Sequence, residues 1–159
     1  MKVHLAHGAV EGIPNEEFVS RERCINSRGL LVNKAGKERR WLCRARWICG
    51  GQHDPDLGKF ETTSPTAMML AYTILLTLCL QWGWETWVAH VSAAFLQGEA
   101  LARTEPVYVL IPRNLPAAVT AWLAAQLGPK CRHDTVKLVK GIFGLAGSPR
   151  VWYQKFSSV

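Results

Sequence analysis

From Thr62 to Trp84 the chain runs 23 residues without a charge. So apolar a stretch must be covered, by a protein core or by lipid. Its strongly apolar part is about 14–16 residues, short of the ~20 that cross a bilayer, and Tyr72, Thr73 and Thr77 interrupt it. No basic cluster flanks it directly, as a membrane span would favour. Ser64-Pro65 just ahead is a helix-start signal. The reading is a buried core helix. The alternative is a small membrane-associated protein anchored by residues 67–82.

A core helix needs a domain around it, and 159 residues suffice for one. A hydrophobic share of 48% excludes a solvated tail or a collagen-like fibre. Charge is uneven. Residues 21–46 hold nine Lys/Arg and two Glu, the whole of the net +7. Such a surface attracts phosphates and points to an anionic partner, with no membrane expected; the alternative is a solvated basic face that keeps the domain soluble. Five cysteines at 24, 43, 49, 79 and 131 make an odd count without framework spacing. A reducing compartment follows, and the amino end shows no secretory signal, so an intracellular site, cytoplasmic or nuclear, is expected.

Residues 1–20 read as a loosely held lead-in, and 21–159 as the domain. Residues 28–49 read as a β-hairpin around a turn at Lys34-Ala35-Gly36-Lys37. In its second strand Trp41, Cys43, Ala45, Trp47 and Cys49 share one face. Arg40, Leu42, Arg44, Arg46 and Ile48 share the other, which makes a basic ribbon. Asp54-Pro55-Asp56 reads as an ordinary turn. Strands are expected at 84–91, 106–112 and 134–140. Helices are expected at 116–127, stopped by Gly128, and from Ser148-Pro149 to the end of the chain. The last helix has no cap and leaves Trp152 and Phe156 exposed. Without βαβ regularity the class is α+β.

Zinc does not fit Cys43 and Cys49, which lie roughly 20 Å apart on one strand. No nucleophile elbow, Walker-type loop or dinucleotide fingerprint occurs.

Three segments in order rise above background. Arg44-Ala45-Arg46-Trp47-Ile48 precedes Gly51 and Asp54-Pro55-Asp56-Leu57. His90-Val91-Ser92-Ala93-Ala94-Phe95-Leu96-Gln97-Gly98 follows. Leu138-Val139-Lys140-Gly141-Ile142-Phe143-Gly144-Leu145 then runs into Ser148-Pro149-Arg150-Val151-Trp152-Tyr153. Together, over about residues 21–157, they resemble the copia-type reverse transcriptase of long-terminal-repeat retrotransposons, an RNA-directed DNA polymerase of transposable elements.

The resemblance implies the fingers and part of the palm of a right-hand polymerase. It assigns Arg44 and Arg46 to the incoming nucleotide's phosphates, which guanidiniums on a rigid strand grip bidentately. It sets Phe95 beneath the sugar and Gly144 where backbone approaches nucleotide and template. Arg40, Lys140 and Arg150 become contacts to nucleic acid. The family's magnesium-binding Asp, however, is His90 here, and the chain holds no Asp-Asp dipeptide for the family's downstream pair. Magnesium demands hard oxygen ligands, so no cofactor is expected in this chain although the family uses Mg²⁺. Gly29 stands where the family usually has a large aromatic, and Ala146-Gly147 replace a Lys-Gln type pair. The expectation is a truncated, catalytically inactive pseudoenzyme fragment. The alternative is a non-catalytic nucleic-acid-binding module that works through its basic ribbon.

Overall fold

The computed structural model describes residues 1–33 and 43–158, without the side chains of Cys43 and Arg44. The expected turn at 34–37 and Arg40 lie outside the described residues. In chain order the elements are α1 (Lys2–Ala6), β1 (Val10–Pro14), β2 (Cys24–Ile25), β3 (Ser27–Asn33), β4 (Cys43–Cys49), α2 (Met69–Trp82), β5 (Val107–Leu110), α3 (Ala117–Leu127), β6 (Cys131–Leu138) and α4 (Ser148–Ser157). Helices and two sheets are mixed, so the class is α+β.

One sheet has the order β1-β6-β5-β2, with β2 parallel to β5 and the other neighbours antiparallel. Its inner side carries Ile25, Val107, Val109 and Val136, all at or near zero exposure. The second sheet is the hairpin β3–β4, paired from Ser27–Cys49 to Asn33–Cys43. Its apolar face buries Trp47 and Cys49, and the indole Nε1–H donates to Ser27 Oγ at 2.7 Å. That face joins the core of the first sheet.

The helices flanking the sheet follow their sequence signals. α3 begins after Pro116 and stops at Gly128, whose φ of +84° few other residues adopt. α4 carries proline in its first turn; Phe156 on it is exposed as expected, whereas Trp152 is half-buried.

Four expectations change. Residues 1–20 are not a loose lead-in throughout: Val10–Pro14 pairs with β6, and Ala9, Val10 and Ile13 are buried. The strand expected at 134–140 begins at Cys131, because β1 extends the ladder to a Pro14–Cys131 pair. Residues 84–91 join no strand and stand exposed, since β-propensity without a neighbouring strand makes no ladder.

The largest change is α2. It starts at Met69, later than Ser64-Pro65 suggests, and only Cys79 of it is buried. Met69, Leu70, Ile74, Leu75 and Leu80 face outward. The helix is apolar around its whole circumference, so no stripe directs one side inward. Among the described residues, no helix is long and apolar enough to cross a membrane.

The Asp-Pro-Asp turn carries more than a turn. Asp54, its side chain wholly buried, accepts from Arg103 Nη1 at 2.8 Å and Nη2 at 2.7 Å. Asp56 accepts from Arg23 Nη1 at 2.7 Å and Nη2 at 2.8 Å, and from Arg103 Nη1 at 2.9 Å. Phe60 lies under the Arg103 guanidinium, 4.3 Å from carbon to ring centre. Hydrogen bonds from Arg23, then from Arg103, hold the Asp56 carboxyl well below the usual carboxylate range.

Removing one partner of a buried pair strands the other. Asp54→Asn is therefore expected to lower unfolding free energy by about 3 kcal/mol in urea titrations. Lys59→Ala, which removes an exposed cation from the same Asp56, should stay within about 0.5 kcal/mol.

Candidate functional site

The three sequence segments meet at the end of β4. Cys49 N–H donates to the Phe143 carbonyl at 2.8 Å, and Gly51 N–H to that of Gly144 at 3.1 Å. The approach is close because both residues lack a side chain. A Cβ on Gly144 would stand 2.1 Å from the Cys49 oxygen, and one on Gly51 would stand 2.2 Å from the Gly144 oxygen. Gly144 also sits at φ +88°.

The second segment arrives through a short 3₁₀ turn, Ala94–Gln97, entered by Ala93 in the left-handed region. Leu96 is fully buried beside Ile142 and Leu145 in one core. Phe95 meets Phe143 edge-on at 5.5 Å. Gly98 lets Val151 of α4 approach, its Cγ1 lying 3.1 Å from where a Cβ would be. Ser148 at the start of α4 donates to the Ile142 carbonyl at 2.8 Å and fixes the loop from behind.

On the hairpin's outer face, Arg46 is exposed and makes no ion pair among the described residues. Ile48 shares that face, and its Cγ2 would lie 2.7 Å from a Cβ on Gly144. Arg46 thus sits two residues, about 7 Å along the strand, from the glycine bend. Cross-strand register adds a residue the single strand did not suggest. Arg28 pairs with Ile48 and Val32 with Arg44, so Arg28, exposed, lies on the face of Arg46. The turn expected at 34–37 would have paired 28 with 43 and put Arg28 on the other face; the observed register, 28 with 48, is what places it.

The other sequence candidates are dispersed. His90 lies on the exposed stretch after α2 that belongs to no helix or strand. Among the described residues, no group of three His, Cys, Asp or Glu could hold a metal ion. A lone exposed imidazole also lacks the oxygens magnesium requires, so the residues around His90 do not fit that ion. Lys140 is half-buried, and its backbone bridges Ala100. Arg150 is engaged internally, by Glu61 at 2.7 Å and the Thr63 carbonyl at 3.3 Å. The Arg44 side chain and all of Arg40 lie outside the described residues. The Cys49 thiol is pushed up to about 12, mainly by burial, and stays protonated.

Behind the junction sits His4. It is buried, edge-on to Trp47 at 5.1 Å and to Phe143 at 6.5 Å, and neither ring nitrogen has a hydrogen-bond partner among the described residues. Burial, followed by the nearby amino terminus and His7, brings it down to about 4. Unfolding releases it to an ordinary value near 6.5, so between those pH values the unfolded chain binds the extra proton. Stability should fall as pH drops from 6.5 to 4. His4→Phe should show a smaller fall over that interval in thermal melts.

Gly144→Ala combines backbone strain with a backbone clash and should cost at least about 3 kcal/mol. Gly58→Ala, at φ +90° where a Cβ would meet nothing within 4 Å among the described residues, should cost about 1 kcal/mol. Paired denaturant melts compare the two.

No protein-family model matches the chain, and no solved structure matches it.

Proposed function

We propose that the chain is a non-catalytic portion of a copia-type reverse transcriptase whose hairpin binds nucleic acid through its phosphates. One observation carries the reading. The three segments that resemble the family, spread over about a hundred residues of sequence, converge on the Gly144 bend, with Phe95 and the Arg46 face beside it. Unrelated turns would have no reason to interlock through two opposed glycines.

In this reading the rigid antiparallel ladder sets the spacing of Arg28, Arg44 and Arg46, and phosphates replace the counterions along that face. Gly144 keeps backbone, rather than a side chain, at the edge of the face. Polymerisation is not part of the reading. His90 provides no carboxylate for magnesium, and the sequence contains no Asp-Asp pair.

Fluorescence anisotropy with an RNA–DNA hybrid tests the binding. Log affinity should fall with log salt at a slope of roughly −2 to −3, as for two or three neutralised phosphates. Arg44→Ala/Arg46→Ala should flatten the slope by about two. Salt-independent binding, or none, defeats the reading. Primer extension with Mg²⁺ or Mn²⁺ should give no template-directed product, with or without His90→Asp; incorporation above a mock preparation would refute the catalytic half.

A further inference from the structure

Two serines in the chain precede a proline, Ser64 and Ser148, and the fold treats them oppositely. Ser148 is 1% exposed, lies in the first turn of α4 and donates to the Ile142 carbonyl at 2.8 Å. Ser64-Pro65 opens no helix. Residues 61–68 belong to no helix or strand, and each of them except half-buried Ser64 is exposed. The Ser64 hydroxyl meets the Pro149 carbonyl at 3.4 Å, longer than the 2.5–3.0 Å of an ordinary hydroxyl donor. A residue before proline is also held out of the helical region. The segment is thus open, extended at its serine and loosely held, as a chain must be to lie in the cleft of a modifying enzyme.

A cation stands beside it. Arg150 Nη2 pairs with Glu61 at 2.7 Å, and Nη1 donates to the Thr63 carbonyl at 3.3 Å. The guanidinium is therefore bonded to the residue before Ser64, while the Ser64 hydroxyl rests on the residue before Arg150.

We propose that Ser64 is a phosphorylation site for a proline-directed protein kinase and that Arg150 receives the phosphate, fastening residues 61–68 to α4. In the transfer, Ser64 Oγ bonds to the γ-phosphorus of ATP as the bond from that phosphorus to the β–γ bridging oxygen breaks. ADP leaves, and the hydroxyl proton passes to the kinase's catalytic base. A phosphate of charge near −2 displaces the single carboxylate of Glu61, itself largely exposed, from the guanidinium. The long hydroxyl contact is lost and a charge-assisted one replaces it. The site stands independently of the nucleic-acid reading, because neither the hairpin nor the Gly144 bend takes part.

The folded full chain, incubated with a purified proline-directed kinase, ATP and Mg²⁺, should take a single phosphate, mapped by mass spectrometry to Ser64. Ser64→Ala should take none. Chain with phosphoserine incorporated at position 64 should melt about 3 °C above the unmodified chain, and in Arg150→Gln the same modification should give no rise. Phosphorus NMR needs no variant: the second phosphate pKa should fall below the usual value of about 6 beside the guanidinium. The proposal fails if the folded chain takes no phosphate at Ser64 or takes it equally at Ser148. It fails also if the melting rise is absent or survives Arg150→Gln, or if the phosphate titrates at its usual value.

Discussion

Asp54 sits at zero exposure, and the arrangement of Arg103, Asp56 and Arg23 around it sets the geometry of much of the remaining chain. An unpaired carboxylate in that position would cost several kcal/mol, so Arg103 must come to it, and Arg23 joins the cluster through Asp56. Arg23 directly precedes β2, whose parallel ladder with β5 is two residues long. So short a ladder is weak by itself. Arg23 anchors it by donating also to the carbonyls of Pro106 and Glu105, immediately before β5. Arg103 holds the other end, and Phe60 beneath it reaches Gly147, where a Cβ would lie 2.8 Å from its ring. Loop 50–60, the entry to β5 and the entry to α4 are thereby tied together by side chains.

That tie positions the glycine junction. Gly51 precedes the ion-paired loop by three residues and receives Gly144 from the other side. Two glycines facing one another permit a carbonyl to come closer than any side chain would allow. The two parts brace each other: the bend is bonded to the end of the strand, and the strand leads directly into the loop held by the buried charges. Packing behind the bend by Phe143, Phe95 and His4 adds apolar and edge-to-face contact. His4 brings an opposing effect, since an imidazole without hydrogen-bond partners among the described residues is buried at a loss.

What could be read from the sequence divides along the range of the interactions. The hairpin was legible because alternation with period two is local and the buried face enforces its register. α3 and α4 were legible from Pro116, Gly128 and Pro149 at their ends. Asp-Pro-Asp looked like a turn because its partners lie 33 and 47 residues away, a separation that no motif encodes. The lead-in hid a strand since Val10 and Ile13 are too few to show a period. α2 was legible as a helix and misleading about burial. Uniform apolarity says that a surface should be covered, but not by which neighbour, and among the described residues most of that surface stays open. Of the site, Arg46 followed from the alternation of its strand and the glycine bend was singled out only by the resemblance, while Arg28 required the cross-strand register.

Under the proposed reading, the basic face and the position where the family has its metal-binding Asp also differ in range. Arg28, Arg44 and Arg46 all belong to one hairpin, whose register is held by the buried side of Trp47 and Cys49. Whenever the hairpin forms, the positive charges are brought together without help from elsewhere. A divalent-ion site must instead gather carboxylates from separate segments against their mutual repulsion, and it stabilises a fold only when the ion is bound. Here the second segment is fixed at Phe95 and Leu96 by packing, yet five residues upstream His90 is on exposed chain that the core does not constrain. A carboxylate can be lost at such a position with no penalty to folding, whereas losing the alternation of β4 would unseat the core. Under the proposed reading, the grip on phosphates therefore persists where the chemistry does not, because the fold enforces the first and is indifferent to the second.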